Sequence, residues 1–168
     1  MEKVGEYMNF ELFEAEEKDK IIIYNLAQLY TYELTFYEDE TTNFELQENG
    51  TFKVNKYIDL YFSENNRHPY ILKCNNKVAG FALERYNENE INEIAEFFVL
   101  NRYRKNGAGS FMANKIFKQY KGKWKIVTLL KNKRAQEFWR NVIKNADNKN
   151  YKEGLIKDNT RYEFYFEN

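Results

Sequence analysis

The sequence has little cysteine and little proline, and both scarcities narrow its class. One cysteine among 168 residues cannot form an internal disulfide, which excludes a disulfide-stapled secreted fold and is typical of a reducing cytosol. Cys74 lies in the apolar run YILKC without an obvious histidine partner, so we interpret it as a structural thiol rather than a nucleophile. One proline and seven glycines leave few places for a flexible linker.

Net charge and long apolar runs are absent as well. Lys plus Arg equals Asp plus Glu at 26 each, so the overall field favours neither nucleic acid nor an anionic membrane surface. No stretch approaches the apolar length of a membrane span, and the beginning MEKVGEY lacks the apolar core of a signal peptide. We therefore predict a cytoplasmic protein with no nucleic-acid partner and no membrane partner.

Aromatic residues are abundant. Tyrosine and phenylalanine occur 14 times each, and 43% of the chain is hydrophobic, which is a globular rather than a disordered composition. A length of 168 residues is close to the commonest size of one domain. We therefore predict a single domain over residues 1–168, with a core rich in aromatic rings.

Hydrophobic periodicity predicts a mixed α/β fold with a central sheet and helices on both faces. Asn75-Asn76 is a turn signal between two apolar strands and indicates a hairpin. The predicted order is a strand within residues 7–15, helices at 19–37 and 54–62, strands at 70–74, 78–86 and 91–100, a helix at 109–120, a strand at 125–130, a helix opening at 132, and strands at 151–156 and 161–166.

The sharpest local feature is Arg104-Lys105-Asn106-Gly107-Ala108-Gly109, which runs from a predicted strand into a predicted helix. Glycines let backbone N–H groups turn toward a ligand, and the first N–H groups of a helix have no partner within it. Together with the helix dipole and the charge of Arg102, the segment predicts a site for a phosphate-rich ligand. A glycine turn before a solvated basic helix is the simpler alternative. The segment is neither a dinucleotide-binding fingerprint nor a P-loop, because it lacks the third glycine of the first and the Gly-Lys-Ser/Thr ending of the second.

Two motifs resemble the GNAT superfamily of N-acetyltransferases. Its signature of Arg or Gln, two residues, Gly, one residue, and Gly or Ala matches Arg104, Gly107 and Gly109. Its N-x-x-A-x-x-(F/L)-Y segment is similar to NKRAQEFW, residues 132–139. The strings EFFVLNRYRKNGAG, YKGKW and AQEFW resemble a poorly characterised bacterial branch of predicted acetyltransferases, most strongly over residues 70–143.

The resemblance implies a GNAT fold, with a mixed sheet of about six to seven strands splayed between strands 4 and 5 and acetyl-CoA as cosubstrate in the wedge. The pantetheine arm would pair with backbone near Phe97, Phe98 and Val99, where an N–H group would hold the developing oxyanion. The pyrophosphate would lie on the loop formed by Arg104, Lys105, Asn106, Gly107, Ala108 and Gly109. Asn132 would lie beside the cosubstrate and Phe138 would pack on it, although Asn132 has a plain helix N-cap as its alternative.

The implied reaction is direct attack of an amine on the thioester, and it needs a base because an ammonium must first lose a proton. Glu93 lies eleven residues before Arg104, the spacing at which histone-type members carry a base. Glu96 lies eight before it, where some aminoglycoside-modifying members carry an aspartate. Strand alternation separates the two onto opposite faces unless a bulge intervenes. We favour Glu96, because a carboxylate in the run IAEFFV must find a partner or shift its pKa; a structural ion pair is the alternative.

Trp139 occupies the position at which many family members carry a tyrosine that protonates the leaving thiolate. An indole N–H is a poor acid, so another tyrosine, a water or unassisted departure would have to serve. The alternative function is therefore an acyl-CoA-binding sensor or regulatory protein with little catalysis. A nucleotide-binding module that uses only RKNGAG is weaker, because it leaves the Asn132 segment unexplained. His68, the only histidine, is interpreted as exposed rather than catalytic.

The acceptor is the least determined part of the prediction. In GNAT folds the region between the first two helices borders the acceptor site, and here it carries Glu38, Asp39, Glu40, Glu45 and Glu48. These acids would suit a cationic amine such as a polyamine, an aminoglycoside or a peptide terminus, and a solvated loop is the alternative. We predict a small-molecule or peptide amine as acceptor, a monomer or homodimer, and no metal site.

Overall fold

A seven-stranded sheet organises the computed structural model, which describes residues 8–146 and 151–168. The strands are β1 Phe10–Glu14, β2 Arg67–Cys74, β3 Lys77–Tyr86, β4 Ile91–Val99, β5 Lys123–Leu129, β6 Lys152–Leu155 and β7 Arg161–Glu167. They lie in the order β1-β2-β3-β4-β5-β7-β6, and β4 and β5 are parallel while the other neighbours are antiparallel. The helices are α1 Lys20–Leu34, α2 Ala108–Gln119 and α3 Lys133–Asn145. The predicted mixed α/β fold is confirmed.

The hairpin predicted at Asn75-Asn76 joins β2 to β3. Both asparagines have left-handed backbone angles, with φ of 49° and 61°. This is the conformation that a two-residue hairpin turn demands and that asparagine tolerates better than most residues.

The helix predicted at residues 54–62 is wrong in its extent and type. Only Ile58–Phe62 is helical, and it forms a 3₁₀ helix. Asn55 Oδ1 accepts the Tyr57 N–H at 2.9 Å, and such a side-chain bond offers the backbone an alternative to a helical start. The predicted burial still holds in part, since Ile58 and Tyr61 are both buried.

Apolar side chains fill both faces of the sheet. On one face α1 and the 3₁₀ helix cover Ile71, Phe81 and Leu83. On the other, α2 and α3 cover a larger cluster that is rich in rings, among them Phe117, Trp124, Trp139, Phe164 and Phe166. Trp124 and Phe166 stack with ring planes 6° apart. The aromatic core expected from the composition is therefore concentrated on the α2–α3 face.

The sheet is splayed between β4 and β5. Their parallel pairing runs from Ile91 opposite Lys123 to Ile94 opposite Ile126 and stops there. Beyond Ile94, β4 continues to Val99 paired with β3 alone, while β5 continues paired with β7. The wedge predicted between strands 4 and 5 is thus present.

No helix among the described residues is long and apolar enough to cross a membrane.

Candidate active site

The predicted phosphate loop leads directly into α2. Lys105 and Gly107 have left-handed backbone angles, with φ of 62° and 86°. The first backbone hydrogen bond of the helix runs from the Phe111 N–H to the Gly107 carbonyl at 2.8 Å. The N–H groups of Ala108 and Gly109 lie before this bond, so they have no partner within the helix. A helix start that follows a glycine turn in this way has the geometry to bind an anion.

The side chain of Arg104 ties this loop to the rest of the molecule. Its Nε donates to the Val99 carbonyl at 2.6 Å, and its Nη2 lies 2.6 Å from Glu33 Oε2 on α1. The guanidinium also stands 5.4 Å from the ring centroid of Phe98. Glu33 is shared between two cations, because its Oε1 also pairs with Arg134. The Arg104 side chain is therefore engaged by protein groups on both sides of the loop.

The free edge of β4 faces the wedge. The Leu100 N–H donates to the Ala79 carbonyl at 2.8 Å, so every second residue of this stretch bonds to β3. By that alternation the backbone N–H groups of Phe97 and Val99 point toward β5, which has already diverged. An extended ligand could hydrogen-bond to this edge as an additional strand.

The ring of Phe98 lies on the other face of the sheet. It is 6% exposed, and its centroid is 5.7 Å from that of Tyr30 on α1. Among the three residues predicted beside the pantetheine arm, Phe98 therefore offers the wedge no side-chain contact.

An aromatic cluster joins α3 to the start of α2. Phe97 lies 5.5 Å from Phe138 and 4.8 Å from Trp139, measured between ring centroids. A Cβ at Gly109 would come within 3.0 Å of the Phe138 ring, so glycine is needed for this close approach. Trp139 is 4% exposed and also packs against Phe117.

Asn132 is the N-cap of α3. Its Oδ1 accepts the Ala135 N–H at 3.0 Å, the bond with which asparagine stabilises a helix start. The capping role that the sequence left as an alternative is thus present, and it occupies one acceptor of the side chain.

Glu96 is a half-buried residue in a cluster of polar side chains on the α1 face of the sheet. Asn55 Nδ2 donates to Glu96 Oε1 at 2.9 Å, although the two residues are 41 apart in sequence. Burial raises the pKa of Glu96 to about 7, while hydrogen bonding by Asn55 and Tyr30 and the charge of Arg85 oppose the rise. A carboxyl group poised near neutral pH is suited to accept a proton at physiological pH.

A β-bulge at Ala95 decides where the two candidate bases point. Leu83 pairs with Glu96 but Glu84 pairs with Ile94, so Ala95 is an extra residue on β4. The bulge brings Glu93 onto the α1 face together with Glu96.

Glu93 is engaged in an ion pair. Its Oε2 lies 2.5 Å from Arg85 Nη2, and its Oε1 accepts from Asn87 Nδ2 at 3.0 Å. The ion pair that the sequence left open for Glu96 is therefore made by Glu93 instead. Among the residues that the structure describes, Glu96 is hydrogen-bonded only by neutral donors.

Three of these residues could not be found by reading the sequence. Tyr30 reads as one more apolar residue on a helix, Asn55 falls in a segment predicted to be helical, and Arg85 closes a strand. A carboxylate in an apolar run signals that partners must exist, but not which residues supply them.

A second buried carboxylate, Glu84, lies outside this site on the opposite face of the sheet. It is 0% exposed, and neither of its oxygens has a hydrogen-bond partner among the described residues. Burial and the charge of Glu14 raise its pKa to about 8. His68, expected to be exposed, is half-buried on β2 opposite Glu84, with its Nδ1 2.8 Å from Glu14 Oε1.

A comparison with protein-family models identifies one family. The acetyltransferase (GNAT) family model matches residues 24–142. No curated protein sequence matches the chain significantly.

Solved structures show the same fold at low identity. An acetyltransferase from Thermus thermophilus is 13% identical, with 93% of this chain and 95% of that chain covered and a TM-score of 0.66. Diaminobutyrate acetyltransferase EctA from Paenibacillus lautus, in complex with L-2,4-diaminobutyric acid and coenzyme A, is 11% identical over 96% of each chain, with a TM-score of 0.66. A protein assigned as a streptothricin acetyltransferase from Bacillus anthracis, in complex with acetyl coenzyme A, is 16% identical over 94% of this chain and 96% of that chain, with a TM-score of 0.56.

Proposed function

The chain belongs to the GNAT family of acetyltransferases, and on that premise we propose that it moves an acetyl group from acetyl-CoA to an amine, with Glu96 as the general base. The assignment of the base rests on the position of Glu96 and on its hydrogen-bond partners. It lies on the bulged strand beside the wedge, at the wall of a cavity, and within the described residues it has hydrogen-bond donors but no cation bonded to it.

The chain has groups that fit acetyl-CoA on two sides of the wedge. The left-handed Gly107 and the free N–H groups that open α2 suit its pyrophosphate. The N–H groups of Phe97 and Val99 on the splayed edge of β4 suit the amides of its pantetheine arm. Lys105, Asn106 and Ala108 complete the loop, and Phe138 packs where the loop and the wedge meet.

Acetyl-CoA supplies an acyl group that is activated as a thioester for transfer to nitrogen. The amine must lose a proton before it attacks, and Glu96 accepts that proton directly or through a water. A new N–C bond then forms as the C–S bond breaks; the nitrogen releases its second proton to solvent as it becomes the amide, and the thiolate takes up a proton from solvent. Glu93 keeps Arg85 in place and acts on the reaction only through that pair.

Trp139 supports a second candidate function. Its indole is buried among Phe97, Phe117 and Phe138, at the position where the resemblance places an acidic tyrosine. An indole cannot protonate the departing thiolate. A protein that binds acyl-CoA as a sensor, with little turnover, would account for this substitution.

A screen of amines with acetyl-CoA, followed by release of free thiol, tests the proposal. We expect turnover of at least one amine and a loss of about a hundredfold or more in Glu96→Gln, the scale of losing a general base. Glu93→Gln is the matched control and should retain more activity. Binding of CoA without turnover of any amine would favour the sensor instead.

A further inference from the structure

A cavity of about 320 Å³ opens beside Glu96, between α1, residues 53–58 and strands β3 and β4. Half of the residues that line it are apolar: Ala27, Leu34, Phe44, Val54, Ile58 and Phe81. Small-molecule sites begin at about this volume, so the cavity suits a body of about one ring or a short branched chain.

The charges around the cavity are few, and most are positive. Glu96 is the one carboxylate residue that lines it within the described residues, whereas two lysines, Lys53 and Lys56, are among its lining residues. A ligand with a single ammonium group finds one anionic partner here. A second ammonium would meet either the apolar wall or two like charges, and both are unfavourable.

The acidic residues of the loop at 38–50 do not supply further anionic partners. Glu38 Oε1 accepts the Phe44 N–H at 2.7 Å, and Asp39 Oδ1 accepts the N–H and the hydroxyl of Thr41 at 2.8 and 2.6 Å. These two carboxylates therefore hold the turns of their own loop. None of the five acids predicted near the acceptor lines the cavity in the described parts of the chain: Glu38, Asp39, Glu40, Glu45 and Glu48.

We propose that the acceptor is a primary amine with a single positive charge, carried on an apolar body about the size of one ring, rather than a polyamine or an aminoglycoside. The inference rests on the proposed function. The ammonium group enters beside Glu96 and loses its proton there, while the apolar body fills the space between Leu34, Val54 and Phe81. Burial of that body provides binding free energy, whereas a second ammonium group on it would lose its hydration against the apolar wall.

A matched pair of acceptors tests the charge preference. Benzylamine and 1,4-bis(aminomethyl)benzene share one ring and differ by one aminomethyl group, and spermidine serves as a flexible polycation. With acetyl-CoA saturating, we expect kcat/KM for benzylamine to exceed the values for the diamine and for spermidine by about tenfold or more. Equal or higher kcat/KM for spermidine would overturn the inference.

Two sets of variants test whether the cavity is the acceptor site. Leu34→Trp and Val54→Trp fill it and should raise the KM for benzylamine by about tenfold or more, whereas Leu46→Trp, at an exposed site outside the cavity, should not. The double variant Lys53→Glu with Lys56→Glu should lower the ratio of kcat/KM for benzylamine to kcat/KM for the diamine. Lys77→Glu, an exposed lysine on the β2–β3 hairpin, should leave that ratio unchanged.

The melting temperature with CoA separates the two levels of failure. If CoA does not raise the melting temperature of the wild type, the proposed function is overturned. If CoA raises the melting temperature but spermidine alone is acetylated, the proposed acceptor class is overturned and the acetyltransferase function stands. The same holds if Leu34→Trp and Leu46→Trp change the KM for benzylamine equally.

Discussion

The pH profile of Glu96→Gln is the most direct test of the proposed chemistry. Only the ionised carboxylate accepts a proton, and burial sets the pKa of Glu96 at about 7. In the wild type, kcat/KM should therefore rise with pH through about 7 and fall about tenfold for each pH unit below it. The amide cannot ionise, so Glu96→Gln should lose this limb and lower kcat/KM by about a hundredfold or more at pH 8.

The two donors to Glu96 refine the expected magnitude. Hydrogen bonding by Asn55 and Tyr30 lowers the pKa of Glu96, so removing either donor should raise it. A change of one pKa unit corresponds to about 1.4 kcal/mol, and a hydrogen bond to a charged group contributes about that much or more. Asn55→Ala and Tyr30→Phe should each move the limb upward by about half a unit to one unit. A purely structural role for these residues would lower the rate without moving the limb.

Thiol release from acetyl-CoA, measured from about pH 5.5 to about pH 9, provides the assay. An alkylamine acceptor titrates near the pKa of lysine, about 10.4, so its own limb is separate from that of Glu96. Circular dichroism establishes that each variant is folded. A limb near pH 7 that persists in Glu96→Gln, or a larger loss in Glu93→Gln, would refute the assignment and favour Glu93 as the base.

Three further predictions concern stability, the cosubstrate and the leaving group. Glu84→Gln should raise the free energy of unfolding at pH 8 by about 2 to 5 kcal/mol and leave it nearly unchanged near pH 4. In the wild type, the folded state holds the Glu84 proton up to about pH 8, whereas the unfolded chain releases it from pH 4.5. The free energy of unfolding therefore falls as pH rises between these values. Chemical denaturation at pH 4 and pH 8 measures the difference between the wild type and the variant. Gly107→Trp should abolish the rise in melting temperature that CoA causes, whereas Gly50→Trp, which places the same ring at another exposed left-handed glycine, should retain it. Trp139→Tyr should raise the rate of thiol release by about tenfold by supplying a proton donor, and Trp139→Phe should change that rate little, although both lower the melting temperature because the indole is buried. A large rate loss in Trp139→Phe would show instead that the indole N–H participates.

Much of the fold follows from periodic patterns in the sequence. Apolar residues alternate along β7 and recur at helical spacing along α1 and α3. These patterns extend over enough residues to indicate the element type even where single residues depart from them. The turn at Asn75-Asn76 carries its own chemical signal, since few other residues adopt two successive left-handed conformations. Glycine spacing likewise located the loop that opens α2.

The segment around Asn55 shows why the remainder could not be predicted. Apolar residues at 54, 57, 58, 61 and 62 fit a helix, yet the Asn55 side chain bonds to the Tyr57 N–H and, through Nδ2, to Glu96. Periodicity records which residues are buried, not which backbone conformation buries them. A contact between residues 41 apart depends on how the chain packs, and one sequence carries no direct record of it.

The bulge at Ala95 is the feature on which the arrangement of the candidate site depends most. Without the extra residue, Glu93 and Glu96 would lie on opposite faces of β4, and one of them would be directed into the aromatic cluster beneath α2 and α3. With it, both acids share the α1 face, so Glu93 can neutralise Arg85 while Glu96 remains bonded to neutral donors. That division keeps a full positive charge from bonding directly to Glu96, which would lower its pKa and weaken it as a base. The same strand carries the splayed edge proposed to hold acetyl-CoA, so one irregular strand positions both the proposed cosubstrate edge and the proposed base.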